Sequence, residues 1–355
     1  MIDSSLCVGI LGGGQLGRMM AIAAHRIGIK TLIFDPHRDS PAGQVSKQII
    51  ANFDDVEALK KFADHVDYVT IEFENLPIKT LKMIEDFGVL CAPYSNILAI
   101  AQNRILEKKF FNDCHIKTPR WFHVKDGIQD LPPNFPFPAI LKTCSMGYDG
   151  KGQIQVETKA QINEAWKKLK YVESVLEEKI NFNGELSVIV ARNKHGIACF
   201  EPTTNVHKDG ILRRSYVPSN HPHHVLEQAR QKTLKIAEKL DLRGLITVEY
   251  FVIGDQLFAN EFAPRPHNSG HWSLDGASPC QFEMALRSTI NWPLPSPQRW
   301  TDVEMRNLIG DEVQQIEKYL DMANALIHLY GKNEIKEGRK MGHINLLKPY
   351  NSKNK

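Results

Sequence analysis

Residues 6–11 form a short apolar run that enters Gly12-Gly13-Gly14-Gln15-Leu16-Gly17, and residues 18–26 then continue with helical spacing and strong helix formers. Strand, glycine turn and helix in immediate succession commit the chain to a βαβ unit, because a helix that follows a strand packs back on the sheet through a right-handed crossover. The next apolar run, residues 30–34, ends at Asp35, close to where a dinucleotide-binding fold places its ribose-binding acid. That pattern supports an NAD-dependent oxidoreductase. Its physical content is narrower: glycines allow backbone N–H groups at a helix N-terminus to approach an anion or a neighbouring loop.

Two further strand-like runs, residues 66–73 and 88–92, flank a helical stretch at 76–87, so the alternation predicts a parallel sheet of about four strands. Glu72 and Glu74 fall on alternate positions at the end of one of these strands, where α/β sheets bind ligands, and are expected to face the same way. Residues 101–112 read as one helix, with Arg104 and Lys108 as i,i+4 neighbours on what is ordinarily a solvated basic face. The prolines between 132 and 138 exclude helix and central strand and mark the start of a small inserted domain. Its first strand, 139–142, runs into the glycine-spaced, polar stretch 143–153, which predicts a hairpin suited to cover phosphates.

The chemistry gathers late. Residues 247–253 and 256–262 are β-branched and aromatic runs separated by Gly254-Asp255, a hairpin signal. With a three-residue loop, Glu249 lies opposite Glu261 with Cβ atoms roughly 4.5 to 5.5 Å apart. Two such carboxylates repel unless a cation lies between them, and hard oxygen ligands suit Mg²⁺. With a two-residue loop Glu261 faces the other way, so a metal pair requires the longer turn or a bulge. Asn260 or Asn268 can add a neutral oxygen. Residues 207–214 read as a basic loop, and the tail carries Lys332, Arg339 and Lys340 on glycine turns near a strand at 344–347.

At 355 residues the chain is long enough for two or three domains. A net charge of +3 implies no nucleic-acid partner, no apolar run reaches membrane-spanning length, and the N-terminus shows no basic region or cleavage signal. Six scattered cysteines without a C-x-x-C indicate neither a disulfide framework nor a zinc site and fit a reducing cytoplasm.

Taken in order, the glycine turn with Gln15-Leu16, Glu72-Phe73-Glu74, the segment from Gly147 to Gln153, Ile180-Asn181-Phe182 with Gly184-Glu185, Asn260-Glu261 with Arg265, His267, Asn268 and Trp272, and Gly338-Arg339-Lys340 with Gly342-His343 resemble the N5-carboxyaminoimidazole ribonucleotide synthases of the ATP-grasp superfamily. The resemblance covers nearly the whole chain. It implies a mixed α/β ATP-grasp fold, with an N-terminal parallel-sheet Rossmann-like domain (1–100), a linker helix and small lid domain (101–185) and a C-terminal mixed-sheet catalytic domain (186–355). It also implies carboxylation of aminoimidazole ribonucleotide by bicarbonate and MgATP through carboxyphosphate, in a cytoplasmic homodimer.

Residue by residue, the resemblance gives Mg²⁺ to Glu249 and Glu261, ATP phosphates to Arg104 and Lys142, and the adenine edge to Glu177, Lys179 and Ile180. The ribose goes to Glu185, with His207 as a further nucleotide contact and Asn260, Gly147, Gly150, Gly152 and Gln153 about the phosphates. Arg265, His267 and Asn268 would hold bicarbonate and carboxyphosphate, and Tyr148, Asp149 and Lys151 would close over them. Glu72 or Glu74 would meet the ribonucleotide, and Lys332, Arg339 and Lys340 its 5′-phosphate. The rivals are the oxidoreductase, a non-catalytic nucleotide sensor, and another ATP-grasp carboxylate-amine ligase.

Overall fold

The computed structural model describes residues 5–145 and 152–348. Three sheets organise it. In the first, β1 (Cys7–Leu11), α1 (Gln15–Arg26), β2 (Lys30–Phe34), β3 (Lys47–Ile49), α2 (Val56–Ala63), β4 (Tyr68–Ile71), α3 (Ile78–Asp86) and β5 (Leu90–Ala92) follow in order. All five strands are parallel, in the order β3-β2-β1-β4-β5. The fifth strand is β3, only three residues long and too polar to read from hydrophobic pattern. Phe34, Phe62, Val69 and Ile71 fill one side of this sheet. On the other side Met20 and Ala24 of α1 share a core with Phe282 and Leu286, which ties the sheet to the C-terminal half.

The single helix expected over 101–112 is two: α4 (Ser95–Ala101) and α5 (Arg104–Asp113). Asn103 breaks it, because its side chain accepts the N–H groups of Ile105 and Leu106 and so caps a new helix. The second sheet comprises β6 (Trp121–Val124), β7 (Ala139–Thr143), β8 (Gln153–Val156) and, after α6 (Ile162–Lys168), β9 (Ser174–Glu178). They pair antiparallel in the order β6-β9-β7-β8 over a core of Val124, Leu141, Val156, Ile162 and Leu176. This unit thus starts before the prolines.

The third sheet is built from β10 (Gly184–Asn193), β11 (Gly196–Cys199), β12 (Thr203–Lys208) and β13 (Ile211–Val217), then α7 (His223–Lys239), β14 (Gly244–Ile253) and β15 (Gln256–Ala263). After α8 (Ser273–Gly276), β16 (Ala277–Ser278), α9 (Gln281–Thr289) and β17 (Gln298–Arg299), three further strands complete it: β18 (Asp302–Ile309), then, past α10 (Glu317–Leu320), β19 (Ala325–Leu329) and β20 (Lys340–Lys348). The order is β15-β14-β10-β12-β13-β18-β20-β19, with β11 on β10. Where a sheet of mixed direction was expected, each of its strand pairs is antiparallel, and tight hairpin turns join β10 to β11, β12 to β13 and β14 to β15. Residues 207–214, expected as a loop, form the β12–β13 hairpin, with a register shift at Val206/His207.

Candidate active site

The β14–β15 register decides the chemistry. Ile253 pairs with Gln256, so the loop has two residues, and an uninterrupted ladder would turn Glu261 away from Glu249. The ladder is interrupted. Tyr250 pairs with Ala259 but Val248 with Phe262, so Asn260 and Glu261 together oppose Glu249 in a bulge. One extra residue brings the second carboxylate to the first. Burial, and then the charge of Glu261, push the Glu249 carboxyl up to about 7. Such a pair is short of positive charge.

The bulge is held from α5. Glu107, 2% exposed, accepts the Phe262 N–H at 2.7 Å, beside the extra residue. Burial and the Glu261 charge raise the Glu107 carboxyl to about 8. One turn earlier, Arg104 lies 3.5 Å from Glu261, and one residue later Lys108 lies 3.0 Å from Glu177. The basic face expected to be solvated is therefore buried, Lys108 being 1% exposed. Glu177 also accepts from Lys142 Nζ at 2.8 Å. Although burial opposes its ionisation, the two ammonium groups outweigh that and hold its carboxyl below the ordinary range. Helix α5 thus joins the β6-β9-β7-β8 sheet to the carboxylate hairpin through charge.

Around these groups opens a cleft of about 600 Å³. Glu74, Arg104, Lys142, Gly152, Gln153, Glu185, His207, Glu249, Asn260, Glu261, Arg265, His267, Asn268 and Lys340 all line it, although they come from three sheets. Ile140, Phe182 and Phe251 supply an apolar wall, and the two phenyl rings stack with centroids 4.6 Å apart. Such a wall suits a flat heteroaromatic ring. Next to it, His207 Nδ1 lies 2.7 Å from Glu185 Oε2. Burial disfavours the imidazolium, but the Glu185 hydrogen bond and the Glu249 charge prevail and raise its pKa.

His267 Nε2 lies 3.1 Å from Glu249 Oε1, while its Nδ1 meets Ser269 Oγ at 2.7 Å. Burial, followed by the Arg265 charge, pushes the imidazole well below its ordinary value, so it is neutral. Asn268 is locked to Asn307 by reciprocal amide bonds of 2.9 and 2.6 Å. Arg265 pairs with Glu74. Against the opposing effect of burial, this guanidinium holds the Glu74 carboxyl below the usual range.

Glu72 does something else. Strand β4 ends at Ile71, so strict alternation lapses, and Glu72 Oε1 accepts the Leu16 N–H at 3.2 Å at the N-terminus of α1. A Cβ on Gly14 would meet that oxygen at 2.3 Å. Asp35 Oδ2 accepts the Gly13 N–H at 2.7 Å. Asp35, the acid of the dinucleotide pattern, and Glu72 are therefore both spent inside the protein, on donors that a pyrophosphate would need. Glu72, expected with Glu74 as one of two alternatives for the ribonucleotide, supports the N-terminus of α1.

Other expectations also move. Glu177, Lys179 and Ile180 are absent from the cleft wall: Glu177 is enclosed by its two lysines, and Lys179 Nζ donates to Gln155 at 2.7 Å. The tail cations separate. Lys340 is in the cleft, whereas Lys332 Nζ donates to its carbonyl at 2.7 Å and Arg339 Nη1 to the Glu334 carbonyl at 3.3 Å, both off the cleft wall. Arg339 lies in the turn before β20, where its N–H donates to the Lys336 carbonyl, and Lys340 is the first residue of the strand. Gly147, Tyr148, Asp149, Gly150 and Lys151 lie outside the described residues. Glu107, Lys108 and Asn307 escaped sequence reasoning; only Lys108 carried a signal, its i,i+4 spacing from Arg104.

Residues 6–102 match the ribonucleotide synthetase preATP-grasp domain, residues 109–282 the ATP-grasp domain, and residues 304–353 the phosphoribosylaminoimidazole carboxylase C-terminal domain. The chain is 40% identical over 349 residues to the N5-carboxyaminoimidazole ribonucleotide synthase of Brucella melitensis, covering 96% of each. It is 40% identical over 347 residues to that of Bacillus subtilis, covering 96% of this chain and 91% of the relative. Its fold matches the crystal structure of N5-carboxyaminoimidazole synthase from Aspergillus clavatus in complex with ADP and 5-aminoimidazole ribonucleotide, with a TM-score of 0.90, 30% identity, and 98% and 95% coverage.

Proposed function

From the premise that this chain belongs to the N5-carboxyaminoimidazole ribonucleotide synthase family of ATP-grasp ligases, we propose a division of roles among its side chains. The protein carboxylates 5-aminoimidazole ribonucleotide in an ATP-dependent reaction of purine biosynthesis. MgATP is its co-substrate. The observation that carries the assignment of roles is the bulge that sets Glu261 against Glu249 with Arg104 beside them.

When bound there, Mg²⁺ supplies charge neutralisation for the transferred phosphoryl group. The paired carboxylates fit it, because burial and mutual repulsion leave Glu249 titrating near 7 without a cation. Arg104 and Lys142 project into the same space and bind phosphate oxygens. Phe182 and Phe251 take the adenine face, and Glu185, oriented by His207, accepts from the ribose hydroxyls. Arg265 presents a planar fork suited to bicarbonate and to carboxyphosphate formed from it. Asn268, fixed by Asn307, donates to the same oxyanion, and His267, held by Ser269, directs its one N–H at Glu249 and borders that oxyanion. No protein nucleophile is required, since phosphoryl transfer to bicarbonate depends on alignment and charge.

Glu74 faces the ribonucleotide side of the cleft with Lys340 near it, and Lys332 and Arg339, off the cleft wall, are assigned to the 5′-phosphate from the family resemblance. We also propose the domain division 1–100, 101–185 and 186–355, which follows the three sheets except that β10 of the third begins at Gly184, and a cytoplasmic homodimer. No helix among the described residues is long and apolar enough to cross a membrane. ADP release measured with bicarbonate, with and without aminoimidazole ribonucleotide, tests the reading. Release should need bicarbonate and rise with the ribonucleotide. Release indifferent to both would refute it.

A further inference from the structure

We propose that His123, Cys144 and Glu173 form a second metal site, for a thiophilic divalent cation of the Zn²⁺ class, through which that ion inhibits the enzyme. One donor atom from each lies within 4.8 Å of the other two. His123 lies in β6, Cys144 follows the last residue of β7 and Glu173 precedes the first of β9, at one end of three neighbouring strands. His123 and Lys142 both pair with Val175, and Cys144 N donates to the Glu173 carbonyl at 3.0 Å, which sets Cys144 opposite Glu173. Backbone pairing therefore fixes the three Cα positions before any ion arrives.

The donor set is an imidazole nitrogen, a sulfur and a carboxylate oxygen. Mg²⁺ avoids sulfur, so this site and the Glu249–Glu261 pair select different ions. Zn²⁺ takes such ligands at about 2.0 to 2.3 Å, which places them about 3.3 to 3.8 Å apart on a tetrahedron with water at the fourth corner. The 2.7 Å contact between His123 Nε2 and Glu173 Oε1 must open slightly, and both side chains, 34% and 46% exposed, have room to do so. Cys144 is buried, and burial together with the Glu173 charge raises its thiol to about 12. A coordinating ion removes that proton to solvent. An ordinary surface imidazole–carboxylate pair, worth up to about 1 kcal/mol, accounts for two of these residues but not for a thiol turned to the same point.

The site can report to the cleft. Cys144 lines it, two residues beyond Lys142, and its carbonyl accepts the Arg104 N–H at 3.0 Å. An ion that draws Cys144 toward Glu173 therefore shifts the end of β7, which carries one phosphate-binding cation and anchors the helix carrying the other.

Co²⁺ titration of the full chain, followed by displacement with Zn²⁺, tests this. Wild type should bind one equivalent with a sulfur-to-metal charge-transfer band. Cys144→Ser should lose the band, and His123→Ala should weaken binding at least about tenfold. In turnover assays at fixed MgATP, Zn²⁺ should inhibit wild type reversibly to chelator. His123→Ala, equally active without Zn²⁺, should need at least about tenfold more. Equal Zn²⁺ sensitivity in His123→Ala would place the ion at the Glu249–Glu261 pair and overturn the proposal, as would a Co²⁺ complex without thiolate absorption. Circular dichroism of Cys144→Ser separates loss of the site from loss of fold.

Discussion

Replacing Glu249 by Gln should stabilise the metal-free protein while disabling the enzyme. The Glu249 carboxyl is raised from an ordinary 4.5 to about 7, by burial first and by the Glu261 charge second. At about 1.36 kcal/mol per pH unit, ionising it in the folded chain costs about 3 kcal/mol relative to the unfolded chain. Its side chain is 15% exposed, so solvent screening removes little of this. Because the folded value is raised, the stabilising contribution is complete below pH 4.5 and is lost as pH climbs to 7. In EDTA at pH 8, Glu249→Gln should therefore be more stable than wild type by about 1 to 3 kcal/mol, and the gap should nearly close at pH 5. Gln keeps an oxygen to accept from His267 Nε2, so the local hydrogen bond survives. Urea denaturation at both pH values, with equal m-values, measures the difference. Added Mg²⁺ and ATP should reverse the order, since only wild type retains both carboxylates. A variant that is less stable at pH 8 in EDTA, or a gap independent of pH, would refute the claim that the pair is strained without a cation.

Glu261→Gln should nearly abolish turnover with the fold intact, and a rate within about threefold of wild type would exclude Glu261 as a metal ligand. Lys108→Met should destabilise by about 3 kcal/mol in urea melts, the low end for breaking a buried pair because Lys142 still faces Glu177, and a loss below about 1 kcal/mol would count against the triad. Arg339→Ala should raise the half-saturating aminoimidazole ribonucleotide concentration roughly 10- to 150-fold, from about 1.5 to 3 kcal/mol per charge-assisted contact, with ATP dependence unchanged. An effect on ATP alone would move this cation to the nucleotide side. Glu72→Ala should cost about 1 to 3 kcal/mol of stability by leaving the Leu16 N–H without its acceptor, and an unchanged melt would contradict the support role.

What the sequence determined by itself was everything that depends on neighbours in the chain. Residues 6–34 had to form strand, glycine turn, helix and strand, because apolar periodicity and glycine conformational freedom are local properties, and the structure has β1, α1 and β2 there. The Glu249–Glu261 hairpin was legible for the same reason, and six ordered motifs identified the family. Tertiary structure decided what those residues do to one another. Whether Glu261 faces Glu249 depended on a bulge that Glu107 supports across 155 positions, a distance over which no pattern carries information. Glu72 and Glu74 share a spacing, yet one caps α1 and the other meets Arg265, since each partner arrives from a different part of the chain. Lys108 looked like a solvated cation and is buried, because only the folded sheet containing β9 brings it Glu177. Charge and burial are sums over everything nearby in space, and for this site most of what is nearby is far away in sequence.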